Sequence, residues 1–87
     1  MRAKITGKVQ GVAYRVYVQE AATALNLVGW VKNLPDGAVA VLAQGEPEKL
    51  KEFVEYLNEG SLHSKVEGVA VEWQSVGKTF SEFSVLH

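Results

Sequence analysis

The stretch of this sequence best suited to chemistry is Gly7-Lys8-Val9-Gln10-Gly11-Val12-Ala13-Tyr14-Arg15. A segment of alternating polarity precedes it and a segment of helical periodicity follows, so it reads as a strand-to-helix junction. A helix starting on such a loop has backbone N–H groups without partners and the positive end of its dipole there. Gly11 lets the chain curl so that successive N–H groups face a small anion. Arg15 adds a permanent charge and a planar fork of donors that fits two phosphate oxygens. These features together form a candidate phosphate cradle. The stretch has neither the Walker spacing nor the dinucleotide glycine fingerprint, so a nucleotide is not indicated. Spacing alone also allows a plainer reading, with Gly11 as a turn glycine and Arg15 as a solvated helix residue.

Other chemistry-bearing residues offer less. His63 lies in the polar connection from Ser61 to Lys65, and His87 is the last residue. With no second histidine at ligand spacing and no cysteine, zinc is not expected, and both rings are expected at the surface. Glu46, Glu48, Glu52 and Glu55 fall on the solvated face of a helix. Trp30 and Trp73 are expected in the core of a sheet. No pattern of exposed aromatics with basic neighbours stands out as a single-stranded RNA platform.

The elements that must position these residues follow from periodicity. Arg2 to Val9 alternates, with Ala3, Ile5, Gly7 and Val9 on one side and Arg2, Lys4, Thr6 and Lys8 on the other, which is a half-buried strand. Tyr14, Val18, Ala21, Ala22 and Leu25 take helical spacing over Tyr14 to Leu25, and Asn26 suits the left-handed closing position. Val28 to Asn33 and Ala38 to Gln44 form a hairpin across Leu34-Pro35-Asp36-Gly37. A second helix has Pro47 in its first turn and Gly60 past its end, with Leu50, Phe53, Val54 and Leu57 as its buried stripe. Lys65 to Ser75 reads as a long strand with Val69, Val71 and Trp73 on one face, and Phe83 to Leu86 as a short one. The order βαββαβ predicts a ferredoxin-like α+β sandwich of two layers. An antiparallel sheet carries two helices on one face and a short C-terminal strand is added.

Size and charge narrow the classes further. The 87 residues make one expected domain, 1–87, with an apolar share of 47% and a formal net charge of −1. A balance of this kind argues against a general nucleic-acid binder, so any anion site is local. The sequence has no cysteine, hence no disulfide or thiol chemistry. No secretory signal and no run near the ~20 apolar residues of a membrane span is visible, which makes the cytoplasm the expected location.

GKVQGVAYR followed, a helix later, by GWVKNLPDG resembles the two signature regions of the acylphosphatase family, in order and in register. The likeness continues through the hairpin glycine, the second helix, Gly60-Ser61 and the terminal FSEF, so it covers nearly the whole chain. The resemblance implies hydrolysis of the carboxyl-phosphate bond of acyl phosphates to a carboxylate and inorganic phosphate. It implies that Arg15 and the loop N–H groups of Gln10, Gly11, Val12, Ala13, Tyr14 and Arg15 hold the phosphoryl group. It also implies that Asn33 orients a water for direct in-line attack. A side-chain amide can accept from a water without being a base at neutral pH. On its residue type alone, Asn33 before a Pro-Asp-Gly turn reads more readily as a turn cap. The expected partners are a small-molecule acyl phosphate and its phosphate product. No metal, cofactor, nucleic acid or membrane is expected, and the expected state is a monomer. Ala13, Tyr14, Leu34 and Ser61-Leu62 depart from the family pattern, which bears on rate and substrate fit. An alternative is a non-catalytic module that binds acyl or carbamoyl phosphate.

Overall fold

Alternation at the start of the chain does build a strand, β1 (Arg2–Lys8), with Ala3 and Ile5 buried and Arg2, Lys4 and Thr6 exposed. The structure, a computed structural model, describes residues 1–74 and 77–87. After β1 come α1 (Tyr14–Ala24), β2 (Val28–Asn33), β3 (Val39–Gln44), α2 (Pro47–Glu59), β4 (Lys65–Glu72) and β5 (Phe83–Leu86). The sheet order is β4-β1-β3-β2-β5. β1 pairs antiparallel with β3 and β4, and β2 antiparallel with β3. β5 joins the free edge of β2 in parallel, Val31 opposite Val85 and Lys32 opposite Leu86.

Both helices cover one face of this sheet: α1 packs on β2 and β5, α2 on β4, and the helices touch. Tyr14 and Val18 from α1 and Phe53 and Leu57 from α2 meet Ile5, Val31, Val39 and Val41 from the strands, all essentially without solvent contact. Phe53 also meets Phe83 of β5 edge-on, with ring centroids 6.0 Å apart. Truncating a buried phenylalanine such as Phe53 to alanine costs about 3–5 kcal/mol. Asn26 takes φ 58, the expected left-handed closure after α1. Gly29 has φ 141, and a Cβ there would collide with the Leu42 carbonyl oxygen, so the β2–β3 pairing admits only glycine.

Three expectations are corrected. β4 ends at Glu72, short of the expected long strand, and Ser75 lies outside the described residues. Trp73 therefore falls beyond the strand and is 57% exposed rather than buried. Trp30 is only half-buried: its neighbours Gly29 and Val31 point to the core, so strand alternation turns it to the helix-free face. There Lys32 Nζ sits 4.9 Å from its ring centroid.

Candidate active site

Between β1 and α1 the chain runs through a loop anchored by Val9, which is 1% exposed. Gly11 takes φ 73 and Ala13 takes φ 59, ψ 22. Two positive-φ residues at alternate positions curl the loop, and turns of this kind are the ones in which successive N–H groups can face an anion. Ala13 is not glycine, and the left-handed region costs an L-residue about 1–2 kcal/mol. Such strain persists only where the surroundings enforce it, and it gathers at functional sites. Ala13 is also the N-cap of α1, with no side-chain cap and no acidic residue in the first turn. The first helical bond runs from the Tyr17 N–H to the Ala13 carbonyl at 3.1 Å, so the N–H groups of Tyr14, Arg15 and Val16 have no acceptor within the helix.

The loop is held from three directions. Gln10 Nε2 donates to the carbonyls of Leu34 and Ala38, each at 2.8 Å, tying the loop to the β2–β3 turn. Ser61 Oγ donates to the Val12 carbonyl at 3.2 Å. Tyr14, 1% exposed, donates its hydroxyl to the Leu57 carbonyl at 2.8 Å. Burial, with the neighbouring Tyr17 adding to it, pushes the Tyr14 phenol well above its usual range, so it stays protonated and donating.

Arg15 leaves the first turn of α1 toward β5. Its Nη1 donates to the Leu86 carbonyl at 2.7 Å and lies 3.5 Å from His87 Nδ1. No other hydrogen bond engages the guanidinium among the described residues, which leaves most of its five donors to the adjoining space.

Asn33 ends β2. Its Oδ1 is shut off from solvent and finds no hydrogen-bond partner among the described residues. The turn after it is closed by others: Asp36 Oδ1 accepts from the Ala38 N–H at 3.0 Å, and the Leu34 N–H donates to the Ala38 carbonyl at 2.8 Å. The capping role that residue type alone offered to Asn33 therefore belongs to Asp36. Lys4 holds Asp36 in turn at 2.8 Å, and this hydrogen bond, with that from Ala38, keeps its carboxyl below the usual range.

A hollow of about 140 Å³ brings these pieces together, bordered by Gly11, Ala13, Tyr14, Arg15, Asn33 and His87 with Val9, Val16 and Val85. Of the residues singled out in the sequence, Gln10 and Val12 do not border it. The Gln10 side chain and the Val12 carbonyl brace the loop. Ser61, the Leu86 carbonyl and His87 were not anticipated as parts of the site. Ser61 had a signal in the Gly60-Ser61 pair, but the place of β5 beside β2 had none in local periodicity. A wider hollow of about 330 Å³ on α2 lies among Glu52, Glu55 and Glu59, charges that repel a phosphate. Among the described residues no group of three or more His, Cys, Asp or Glu side chains is placed to hold a metal ion.

The acylphosphatase family model matches residues 1–85. This chain belongs to the acylphosphatase family. An acylphosphatase of Marinobacter nauticus is 42% identical over 83 residues, covering 95% of this chain and 90% of that one. The crystal structure of the acylphosphatase from Bacillus subtilis superposes with a TM-score of 0.92 at 40% identity, covering 99% of this chain and 96% of that one. A full-length HypF, solved in a phosphate- and nucleotide-bound form, matches with a TM-score of 0.81 and 26% identity, over 11% of its own length. The protein is thus an acylphosphatase, a hydrolase of acyl phosphates. In this acylphosphatase the candidate site lies at the junction of β1 and α1, against the ends of β2 and β5.

Proposed function

We propose that Arg15 and the loop N–H groups from Gln10 to Arg15 hold the phosphoryl group, and that Asn33 orients the water that attacks it. The observation that carries this reading is that Asn33, whose Oδ1 has no partner among the described residues, borders the same small hollow as the left-handed loop and Arg15. A buried acceptor left without a partner costs about 1–3 kcal/mol. It is tolerated where it has work to do, and in this reading the amide turns that acceptor to the attacking water when substrate is bound.

Phosphoryl transfer depends mainly on positioning and on charge compensation at the equatorial oxygens. Arg15 and the loop N–H groups supply the compensation. The water oxygen bonds to phosphorus in line with the P–O bond to the acyl group. That bond breaks, and its electron pair leaves on the carboxylate, which needs no general acid because its proton affinity is low. A phosphoryl oxygen takes one proton of the water. No covalent enzyme intermediate, metal or cofactor enters the scheme.

Residues 1–87 act in this reading as one domain, in the cytoplasm. Because loop, arginine and asparagine all come from one chain, a monomer suffices. The test is hydrolysis of an aromatic acyl phosphate by the native protein, Arg15→Ala and Asn33→Ala, each also titrated with inorganic phosphate. Turnover by the native protein that both substitutions abolish supports the reading. Undiminished turnover in a folded Arg15→Ala protein overturns it, and phosphate binding without turnover in the native protein marks a binding module instead.

A further inference from the structure

The ring of His87 is exposed, yet it borders the hollow shared by Arg15 and Asn33. Its Nδ1 stands 3.5 Å from Arg15 Nη1. A guanidinium has donors only, so a bond between the two needs the lone pair of Nδ1. A neutral ring protonated on Nε2 supplies that lone pair; an imidazolium does not. The contact with Arg15 can therefore be kept only by the neutral ring. Among the described residues no Asp or Glu side chain borders the hollow. The polar groups around the ring are Arg15 and the buried Tyr14 from α1 and Asn33 from β2, while Lys32 of β2 turns to the helix-free face, against Trp30.

We infer that His87 is a proton-linked contact for the anion, a second cation that forms when a doubly charged tetrahedral anion occupies the hollow. On anion entry the ring takes a proton from solvent at Nδ1, gives up its contact with Arg15, and turns an N–H toward the anion. Imidazole is the side chain whose charge ordinarily changes between about pH 5 and 8, so a proton-linked contact of this kind is read in that range. By linkage, protonation of His87 strengthens anion binding by the same factor that the anion strengthens protonation. Affinity for the anion therefore rises as the pH falls through the imidazole range. The inference rests on the hollow being the anion site, as argued under Proposed function.

Sulfate is the suitable probe, because it stays doubly charged from about pH 5 to 8, the range in which imidazoles titrate, whereas phosphate titrates there itself. Calorimetric Kd values for sulfate at about pH 5.5 and pH 8 are compared for the native protein, His87→Gln and His63→Gln, with Arg15→Ala as the site control. All carry the same chain end, so any main-chain carboxylate is common to the comparison. The native protein and His63→Gln bind sulfate about three- to fivefold more tightly at the lower pH, the scale of a partly exposed ion contact. His87→Gln shows no such slope, and saturating sulfate raises the midpoint of the His87 ring in an NMR titration. An equal slope in His87→Gln, or binding that Arg15→Ala abolishes but pH does not alter, overturns this inference alone. Absence of sulfate binding at either pH overturns the anion-site reading and this inference with it.

Discussion

At the scale of single residues, Arg15 and Asn33 should fail in different ways. Arg15 carries charge that meets the phosphoryl group both when bound and in the transition state. Arg15→Ala therefore raises the inhibition constant of phosphate and lowers turnover by at least the ~10²–10³ typical of a lost donor in such a site. Arg15→Lys restores little, since an ammonium keeps the charge but loses the fork. Asn33→Ala collapses kcat while phosphate inhibits with nearly unchanged affinity, because a placed water matters only in the transition state. Asn33 caps nothing, so its removal should leave the melting temperature close to native; a marked destabilisation with activity kept would return it to a structural role. Both residues were readable in the sequence, but only through the paired motifs. Residue type offered Asn33 as the cap of the turn and passed over Asp36, whose carboxylate takes the Ala38 N–H and meets Lys4.

The turn and the loop belong to the next scale. Asp36 is held by Lys4 and by the Ala38 N–H, which lower its carboxyl from the usual value. A carboxyl lowered on folding adds stability above its unfolded pKa, near 3.9, and loses it as the pH falls through the lower folded value. Asp36→Asn should therefore melt below the native protein near pH 7, and the gap should close in acid below about pH 3. A gap that persists in acid would assign the effect to packing. Gln10→Ala removes two bonds that tie the phosphate loop to the β2–β3 turn, so it should lower kcat as well as phosphate affinity while leaving the core intact. Far-UV circular dichroism and steady-state kinetics on that variant check both halves. Periodicity placed every helix and strand within a few residues. It missed the end of β4, where alternation continues to Trp73 but the pairing to β1 stops with Arg2 opposite Glu72. Pattern records which residues could alternate, whereas the length of the partner decides where a strand ends.

For the whole molecule, the sheet order explains what local reading left out. β5 fills the open edge of β2, and with it come the Leu86 carbonyl and His87. Parallel pairing between segments so far apart leaves no local trace, so the antiparallel four-strand frame was foreseeable and the acceptor for Arg15 was not. Net charge averages over the acidic flank of α2 and could not locate the hollow beside Arg15. The ligand-poor surroundings of that hollow lead to a further expectation: excess EDTA should leave hydrolysis unchanged. Activity lost to chelator and restored by added metal would instead make a metal ion part of the catalytic machinery.

The bond from Arg15 to Leu86 ends on the main chain, and that has a consequence for how the protein can change. Every residue type carries the same carbonyl, so no substitution at position 86 deletes the acceptor, and the side chain there is at liberty to drift. What can break the arrangement is a slip of β5 by one residue against β2, which would turn the carbonyl of residue 86 to the opposite edge of the strand. The site is therefore guarded at this point by register and not by identity. Position 86 can vary without penalty while an inserted or deleted residue between Phe83 and Leu86 silences the enzyme.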